Sequence, residues 1–160
     1  MKYIFFLGHQ PHLSLAELEA KYSYESILEN NDLYAVIELD DKPNIDQLGG
    51  TTKISKIIKT EELEDNYEEQ AKNLILDFIF EQKNEKLKLG TSFYGGTKNN
   101  QLSQKDVQKL LEEIRNTVKK QNPDLNLRTV EPKSPTLSTA QIVHSGLLKT
   151  NGLSLDIIIC

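Results

Sequence analysis

The chain has 160 residues, of which 38% are hydrophobic, with one cysteine and a formal net charge of −5 at pH 7. This length allows one or two small domains, and the lone Cys160 excludes a disulfide framework, which favours a reducing compartment. No apolar run approaches the roughly 18 residues that a membrane span needs, and the apolar part of the first strand is too short for a secretion signal. We therefore expect a cytoplasmic protein with no membrane partner.

Charge is distributed unevenly along the chain. Residues 1–85 contain 8 lysines and 18 acidic residues, whereas residues 86–160 contain 11 basic and 6 acidic residues. The balance is thus −10 in the first part and +5 in the second. This asymmetry indicates that the second part meets a polyanion, and a chance distribution of surface charge is the alternative.

The first 60 residues have a β-α-β-β-α-β pattern. Content of β-branched and aromatic residues predicts strands at 3–8, 24–28, 33–39 and 53–59. Ser14 and Glu17 form a capping box that predicts the start of the first helix. A short second helix near 44–49 ends at two glycines. This order of elements is that of a ferredoxin-like subdomain.

After a charged linker at 61–66, helices and strands alternate. The pattern predicts helices at 66–83, from Ser103 to Asn122 and from Leu137 to Asn151, and strands at 86–96, 125–130 and 153–160. Gly152 is expected to adopt a left-handed conformation that ends the last helix. The overall class is therefore α+β, with an α/β domain over 61–160. Because the final strand is apolar up to Cys160, where a buried carboxylate would be costly, we expect the chain to be the front part of a longer protein.

Catalytic and metal-binding patterns are weak. His9 and His12 lie in a turn with no third ligand nearby, and His144 is distant in sequence. No nucleophile elbow, P-loop or dinucleotide-binding motif occurs. The carboxylates of 61–69 form a charge run that is typical of a solvated helix face. We predict no catalytic residue, no metal site and no cofactor within this chain.

The features that favour a function lie between residues 86 and 149. Lysines and arginines there offer contacts to phosphate groups, and Tyr94, on the polar side of its strand, could stack on a base. Ser138 and Thr139 stand at a helix start, where unpaired N–H groups and the helix dipole attract phosphate. The alternative is that both residues merely cap the helix. The predicted RNA-binding residues are Lys88, Tyr94, Lys98, Arg128, Lys133, Ser138, Thr139, Gln141, His144 and Lys149.

Several blocks resemble archaeal-type tRNA guanine-N2 methyltransferases, the family that methylates guanosine ten. The opening "YIFFLGHQPHLSLAELEAKY" is similar to the start of these enzymes. Further similar blocks follow in the same order: "LGTSFYGG", "LNLRTVEPK", "LSTAQIVHSGLL" and "NGLSLDIII". The last block is the most specific, and together the blocks span nearly the whole chain.

The resemblance implies a ferredoxin-like subdomain over 1–60 and a THUMP-type RNA-binding domain over 61–160 that holds the acceptor end of tRNA. It also implies RNA contacts by Arg128, Lys133 and the helix that starts at Leu137. In such enzymes a separate Rossmann domain binds S-adenosylmethionine and transfers the methyl group. This sequence has neither that domain nor its Asn/Asp-Pro-Pro-Tyr motif, so tRNA is the expected partner and the chemistry is expected elsewhere.

Three functions therefore remain open from the sequence. The chain could be the RNA-binding part of a split or truncated tRNA methyltransferase. It could be a free-standing THUMP-type adaptor that works with a separate methyltransferase chain. It could also be a ferredoxin-like regulatory or protein-interaction module without RNA, which the acidic first part favours because acidic groups repel a polyanion.

Overall fold

The structure, a computed structural model, describes residues 1–62, 65–82, 85–95, 102–131, 133–134, 136–149 and 152–159. The chain divides into two compact units, Met1–Glu61 and Glu62–Cys160. Both mix helices and strands, as an α+β protein does. Within the described ranges, no helix is both long enough and apolar enough to cross a membrane.

The first unit is a four-stranded antiparallel sheet with one α-helix. Its elements are β1 (Lys2–Leu7), α1 (Pro11–Tyr22), a 3₁₀ turn (Tyr24–Ser26), β2 (Ile27–Asn30), β3 (Tyr34–Glu38), a second 3₁₀ turn (Ile45–Gln47) and β4 (Thr51–Lys56). The strand order is β2-β3-β1-β4. The second helix predicted near 44–49 is thus a single 3₁₀ turn, which Asn44 caps by accepting a hydrogen bond from the amide of Asp46.

One side of this sheet packs against α1. Phe5 from β1 and Ile37 from β3 are fully buried with Leu18 of the helix. Leu15 and Tyr22 are partly buried against the same cluster, as their spacing on one helix face requires. Burial of this stripe, rather than helix propensity, is what stabilises a 12-residue helix.

The predicted capping box of α1 is wrong. The helix begins three residues earlier, at Pro11, which suits a first-turn position because the N–H that proline lacks would have no partner there. Ser14 therefore lies inside the helix, and its hydroxyl donates to the carbonyl of Gly50 at 2.7 Å. The Glu17 carboxylate accepts from the amides of Gly49 at 2.7 Å and Gly50 at 2.9 Å. These two bonds lower the pKa of Glu17 and anchor the loop before β4.

The second unit alternates helices with strands of a three-stranded parallel sheet, in the order β6-β5-β7. Its elements are α2 (Tyr67–Glu81), β5 (Lys86–Gly95), α3 (Gln104–Gln121), β6 (Asn126–Thr129), α4 (Thr139–His144) and β7 (Gly152–Ile159). Helices α2 and α3 contribute to the main core with the strands. Lys72 of α2 forms an ion pair with Glu69 and lies 3.5 Å from Glu113 of α3.

Helix α3 confirms its sequence prediction in detail. Ser103 and Asp106 form a reciprocal capping box, with the Ser103 amide 2.8 Å from the Asp106 carboxylate. The apolar stripe of α3 is buried at every position that the pattern predicts: Val107, Leu110, Leu111, Ile114 and Val118. The stripe faces Leu87 and Leu89 of the central strand β5.

Helix α4 is much shorter than the sequence pattern predicts. It has six residues and ends at His144. Gly146, not Gly152, adopts the left-handed conformation, with φ of +69°. The amide of Gly146 donates to Val143 and that of Leu147 donates to Ile142, which is the Schellman pattern that closes a helix. Gly152 instead begins β7.

Candidate nucleic-acid interface

The sheet of the second unit has a second face, opposite α2 and α3, and α4 packs on it. Leu137, Ile142 and Leu147 are buried there, with Val130 partly buried against them. Gly90 of β5 permits this close approach, because a Cβ atom at that position would lie 2.4 Å from Leu147 Cδ1. We call this surface, together with α4, the α4 face.

The α4 face is less open than the strand pattern predicts. Ser92 was expected on a polar, solvent-exposed side, but it is fully buried and its hydroxyl accepts from the Leu137 amide at 3.0 Å. Tyr94 is only partly exposed on the same side. Burial, and then the nearby Asp156 carboxylate, raise the pKa of Tyr94 to about 12. Tyr94 is thus a partly covered residue beside an acid, which is a poor platform for base stacking.

The start of α4 has two of its backbone N–H groups occupied by its own capping box. Ser138 and Gln141 form a reciprocal capping box: the Ser138 amide donates to Gln141 Oε1 at 3.1 Å, and the Gln141 amide donates to Ser138 Oγ at 3.2 Å. Asp156 on β7 is the register partner of Ser92, which holds the adjoining Leu137 amide. The helix start is therefore occupied by its own cap and lies near a carboxylate. Capping by Ser138 is confirmed, and phosphate docking at this helix start stays a prediction.

The opposite end of α4 gathers cationic side chains. Lys88 donates to the carbonyl of Ser145 at 3.2 Å, a favourable position for a cation at a helix C-terminus. Arg128 is the register partner of Lys88 on the neighbouring strand, so both side chains leave the same face of the sheet. Lys149 approaches from the loop after α4. Because Lys149 Cε and Lys88 Nζ lie 3.6 and 3.7 Å from one point above Gly146, they are no more than about 7 Å apart.

We call these three residues, Lys88, Arg128 and Lys149, the basic cluster. Arg128 and Lys149 are exposed, and His144 is exposed in the last turn of α4. Among the residues that the structure describes, no ion pair engages any member of the cluster. Lys88 and Lys149, which lie within about 7 Å of each other, repel, so an anionic ligand would relieve that repulsion.

The remaining predicted residues lie apart from the basic cluster. Lys133 is exposed in the segment that leads towards the start of α4. Thr139 is the first residue of α4. Lys98 lies outside the described residues. The structure thus brings together four of the ten predicted residues, Lys88, Arg128, His144 and Lys149, at one end of α4.

The uneven distribution of charge along the sequence does not follow the division into two units. The second unit as a whole is nearly neutral, with 13 basic and 14 acidic residues between 62 and 160. Four of its acidic residues, Glu68, Glu69, Asp77 and Glu81, belong to α2, which packs on the side of the sheet opposite α4. The basic cluster therefore belongs to one face rather than to a uniformly basic domain.

A second cationic surface lies along α3. Lys105, Lys109 and Arg115 line a groove of about 480 Å³ beside Thr129 and Glu131. The sequence analysis did not single out Lys105 or Lys109. Their spacing of four residues on a helix whose core stripe was already assigned is the signal that would have found them.

Comparisons of this chain with protein-family models, curated proteins and solved structures found no match. The protein has two α+β units, and the second unit has a basic cluster on one face of its parallel sheet.

Proposed function

We propose that this chain binds tRNA through the α4 face of its second unit and is the RNA-binding part of a tRNA guanine-N2 methyltransferase. In this proposal residues 1–60 form a ferredoxin-like subdomain and residues 61–160 a THUMP-type domain. Methyl transfer belongs to a separate domain or chain that binds S-adenosylmethionine. The resemblance of the sequence blocks to that enzyme family is what suggests the substrate.

The basic cluster is the observation that carries RNA binding. Lys88, Arg128 and Lys149 converge at the end of α4 without carboxylate partners among the described residues. Phosphate contacts of this kind supply the sequence-independent part of nucleic-acid affinity. Exposed Arg128 can present a planar fork to a phosphate, whereas the ammonium groups act as point charges.

The strand connectivity supports the two domain types. The antiparallel order β2-β3-β1-β4, with α1 connecting β1 to β2, is compatible with a ferredoxin-like subdomain in which the second helix has been reduced to a 3₁₀ turn. The alternation of helices with parallel strands is compatible with an α/β RNA-binding domain.

A second candidate function is a protein-interaction module without RNA. The first unit favours it, because residues 1–61 contain 6 lysines and 10 acidic residues. An RNA backbone would be repelled by this unit, whereas a basic protein partner would not. The two functions differ in a simple measurement, namely whether the chain binds tRNA at low salt.

Titration of fluorescently labelled tRNA, with and without its single-stranded CCA end, tests the proposal by anisotropy. Reversing both Arg128 and Lys149 to glutamate should weaken binding at 0.1 M salt by roughly sixfold or more per lost phosphate contact, the factor that counterion release implies. The matched control reverses two exposed lysines of the first unit, Lys42 and Lys56, with the same change in net charge. Absence of tRNA binding at low salt, or equal losses in both double variants, would remove the α4 face as an RNA site.

A further inference from the structure

We propose that the groove along α3 is a binding site for an unpaired RNA nucleotide, with cations for the phosphate and carboxylates for the base. This inference deepens the proposed function and rests on it, since both require the second unit to bind RNA. The proposed site lies between α3 and β6, whereas the basic cluster lies on the α4 face.

The groove follows one side of α3. Lys105, Lys109 and Glu112 recur at spacings of four and three residues, so their side chains share one face of the helix. Arg115 continues this row by a further turn. The row is about 15 Å long at the helical rise per residue, which is more than one phosphate group would occupy.

Strand β6 forms the other wall. It is an edge strand of the sheet. As in any β-strand, its successive side chains alternate between the two faces of the sheet. Arg128 leaves the strand on the α4 face, while its neighbour Thr129 lines the groove. A strand of RNA that passes over this edge would therefore contact the basic cluster on one side and the groove on the other.

The chemistry of the lining favours a nucleotide over an apolar ligand. Small-molecule pockets are lined mostly by hydrophobic side chains, whereas Leu111 is the one apolar residue of this groove. Three cations stand beside two carboxylates, Glu112 and Glu131, and no ion pair joins them among the described residues. Cations accept phosphate oxygens as partners, and a carboxylate accepts hydrogen bonds from the amino group of a base such as cytosine.

The carboxylates give the proposal a specific consequence. A purely electrostatic groove would bind every RNA strand of the same length equally, and neutralising its acidic residues would strengthen that binding. A nucleotide site would instead prefer bases that carry an amino group, and neutralising the acidic residues would abolish the preference. The first outcome raises the affinity for all RNA strands alike, whereas the second changes the ratio of the affinities for two strands. One experiment that measures both affinities therefore separates them.

The experiment measures binding of oligo(C) and oligo(U) of equal length to the full chain by anisotropy. We expect oligo(C) to bind at least about fivefold more tightly, the lower end of the discrimination that a base-edge contact provides. Glu112→Ala with Glu131→Ala should remove this preference, because alanine has no acceptor for the amino group, and Lys109→Glu with Arg115→Glu should weaken the binding of both oligonucleotides. Circular dichroism spectra that match the wild type would show that the variants fold.

Other results would overturn the groove site. Equal affinity for the two oligonucleotides, or an unchanged preference for oligo(C) in the variant that lacks both glutamates, would show a charged surface without base recognition by these carboxylates. Unchanged binding by the Lys109 and Arg115 variant would show that RNA does not enter the groove. In either case the tRNA titration of the Arg128 and Lys149 variant still decides the proposed function, because those residues lie on the other face.

Discussion

Replacing Gly90 with alanine should disrupt the packing of α4 on the sheet. The added methyl group would lie 2.4 Å from Leu147 Cδ1 and 2.6 Å from Leu137 Cδ1, whereas carbon atoms pack at about 3.5–4.0 Å. The two leucine side chains must therefore leave their present rotamers, or the segment that carries α4 must move outward by about 1 Å. We expect the second unit to lose about 1–3 kcal/mol, the usual cost of overpacking a core.

A double-mutant cycle tests the cause of this loss. Leu147→Ala alone removes a buried side chain and should destabilise by about 2–5 kcal/mol. Combined with Gly90→Ala, it removes one of the two clashing side chains. The double variant should therefore lose at least about 1 kcal/mol less than the sum of the single variants, because neighbouring sites are coupled. Gly49→Ala is the matched control, since its Cβ would meet only Glu17 Oε1 at an ordinary 3.6 Å.

The assay is urea unfolding followed by circular dichroism, with hydrogen exchange to assign the change to the second unit. A loss of 1 kcal/mol corresponds to a fall in Tm of roughly 4–8 °C for a domain of this size. Faster exchange should appear in β5 and in residues 136–149. Gly90→Ala with wild-type stability, or strict additivity with Leu147→Ala, would contradict the packing of α4 on β5.

Two further predictions concern the same face. Gly146→Ala should destabilise the second unit by about 1–2 kcal/mol in urea unfolding, because alanine resists the left-handed conformation at φ +69°; an unchanged midpoint would mean that α4 does not end at Gly146. The Tyr94 phenol should ionise near pH 12, seen as a step at 295 nm that disappears in Tyr94→Phe. Since its folded-state pKa is above the ordinary 10, this residue's contribution to stability should be present below pH 10 and be lost as the pH rises towards 12. A Tyr94 step at pH 10 would show that the side chain is open to water.

The sequence predicts what local patterns determine. The apolar stripe of α3 and its Ser103 cap are encoded within one stretch of chain, so both are found as predicted. Three of the four strands in the first sheet are also found close to their predicted bounds, because runs of β-branched and aromatic residues mark them.

Features that depend on distant residues are not predicted. Ser14 and Glu17 have the spacing of a capping box, yet the Ser14 hydroxyl donates to the carbonyl of Gly50 and the Glu17 carboxylate accepts from the amides of Gly49 and Gly50, more than 30 residues away. The alternation of β5 correctly orients Ser92, but the sequence does not show that α4 covers that face and buries the hydroxyl. The sequence pattern placed the end of α4 at Gly152, whereas Gly146 adopts the left-handed conformation that ends the helix.

The candidate site shows the same division. Local charge identified Lys88, Arg128 and Lys149, but only strand register and the turn at Gly146 bring them together. Polar residues at the start of α4 suggested a ligand site, but the side chains of Ser138 and Gln141 form a capping box with each other. Residue type alone did not distinguish a cap from a ligand site.

The salt dependence of tRNA affinity tests most directly whether the α4 face binds a nucleic-acid backbone. We expect log K to fall linearly with log salt concentration, with a slope of about 0.7–0.9 for each phosphate contact. Reversal of Arg128 and Lys149 should reduce the magnitude of that slope by about 1.4–1.8, the sum for two contacts, while reversal of Lys42 and Lys56 should leave it unchanged. A slope that is the same in wild type and in the Arg128 and Lys149 variant would contradict RNA binding at this face.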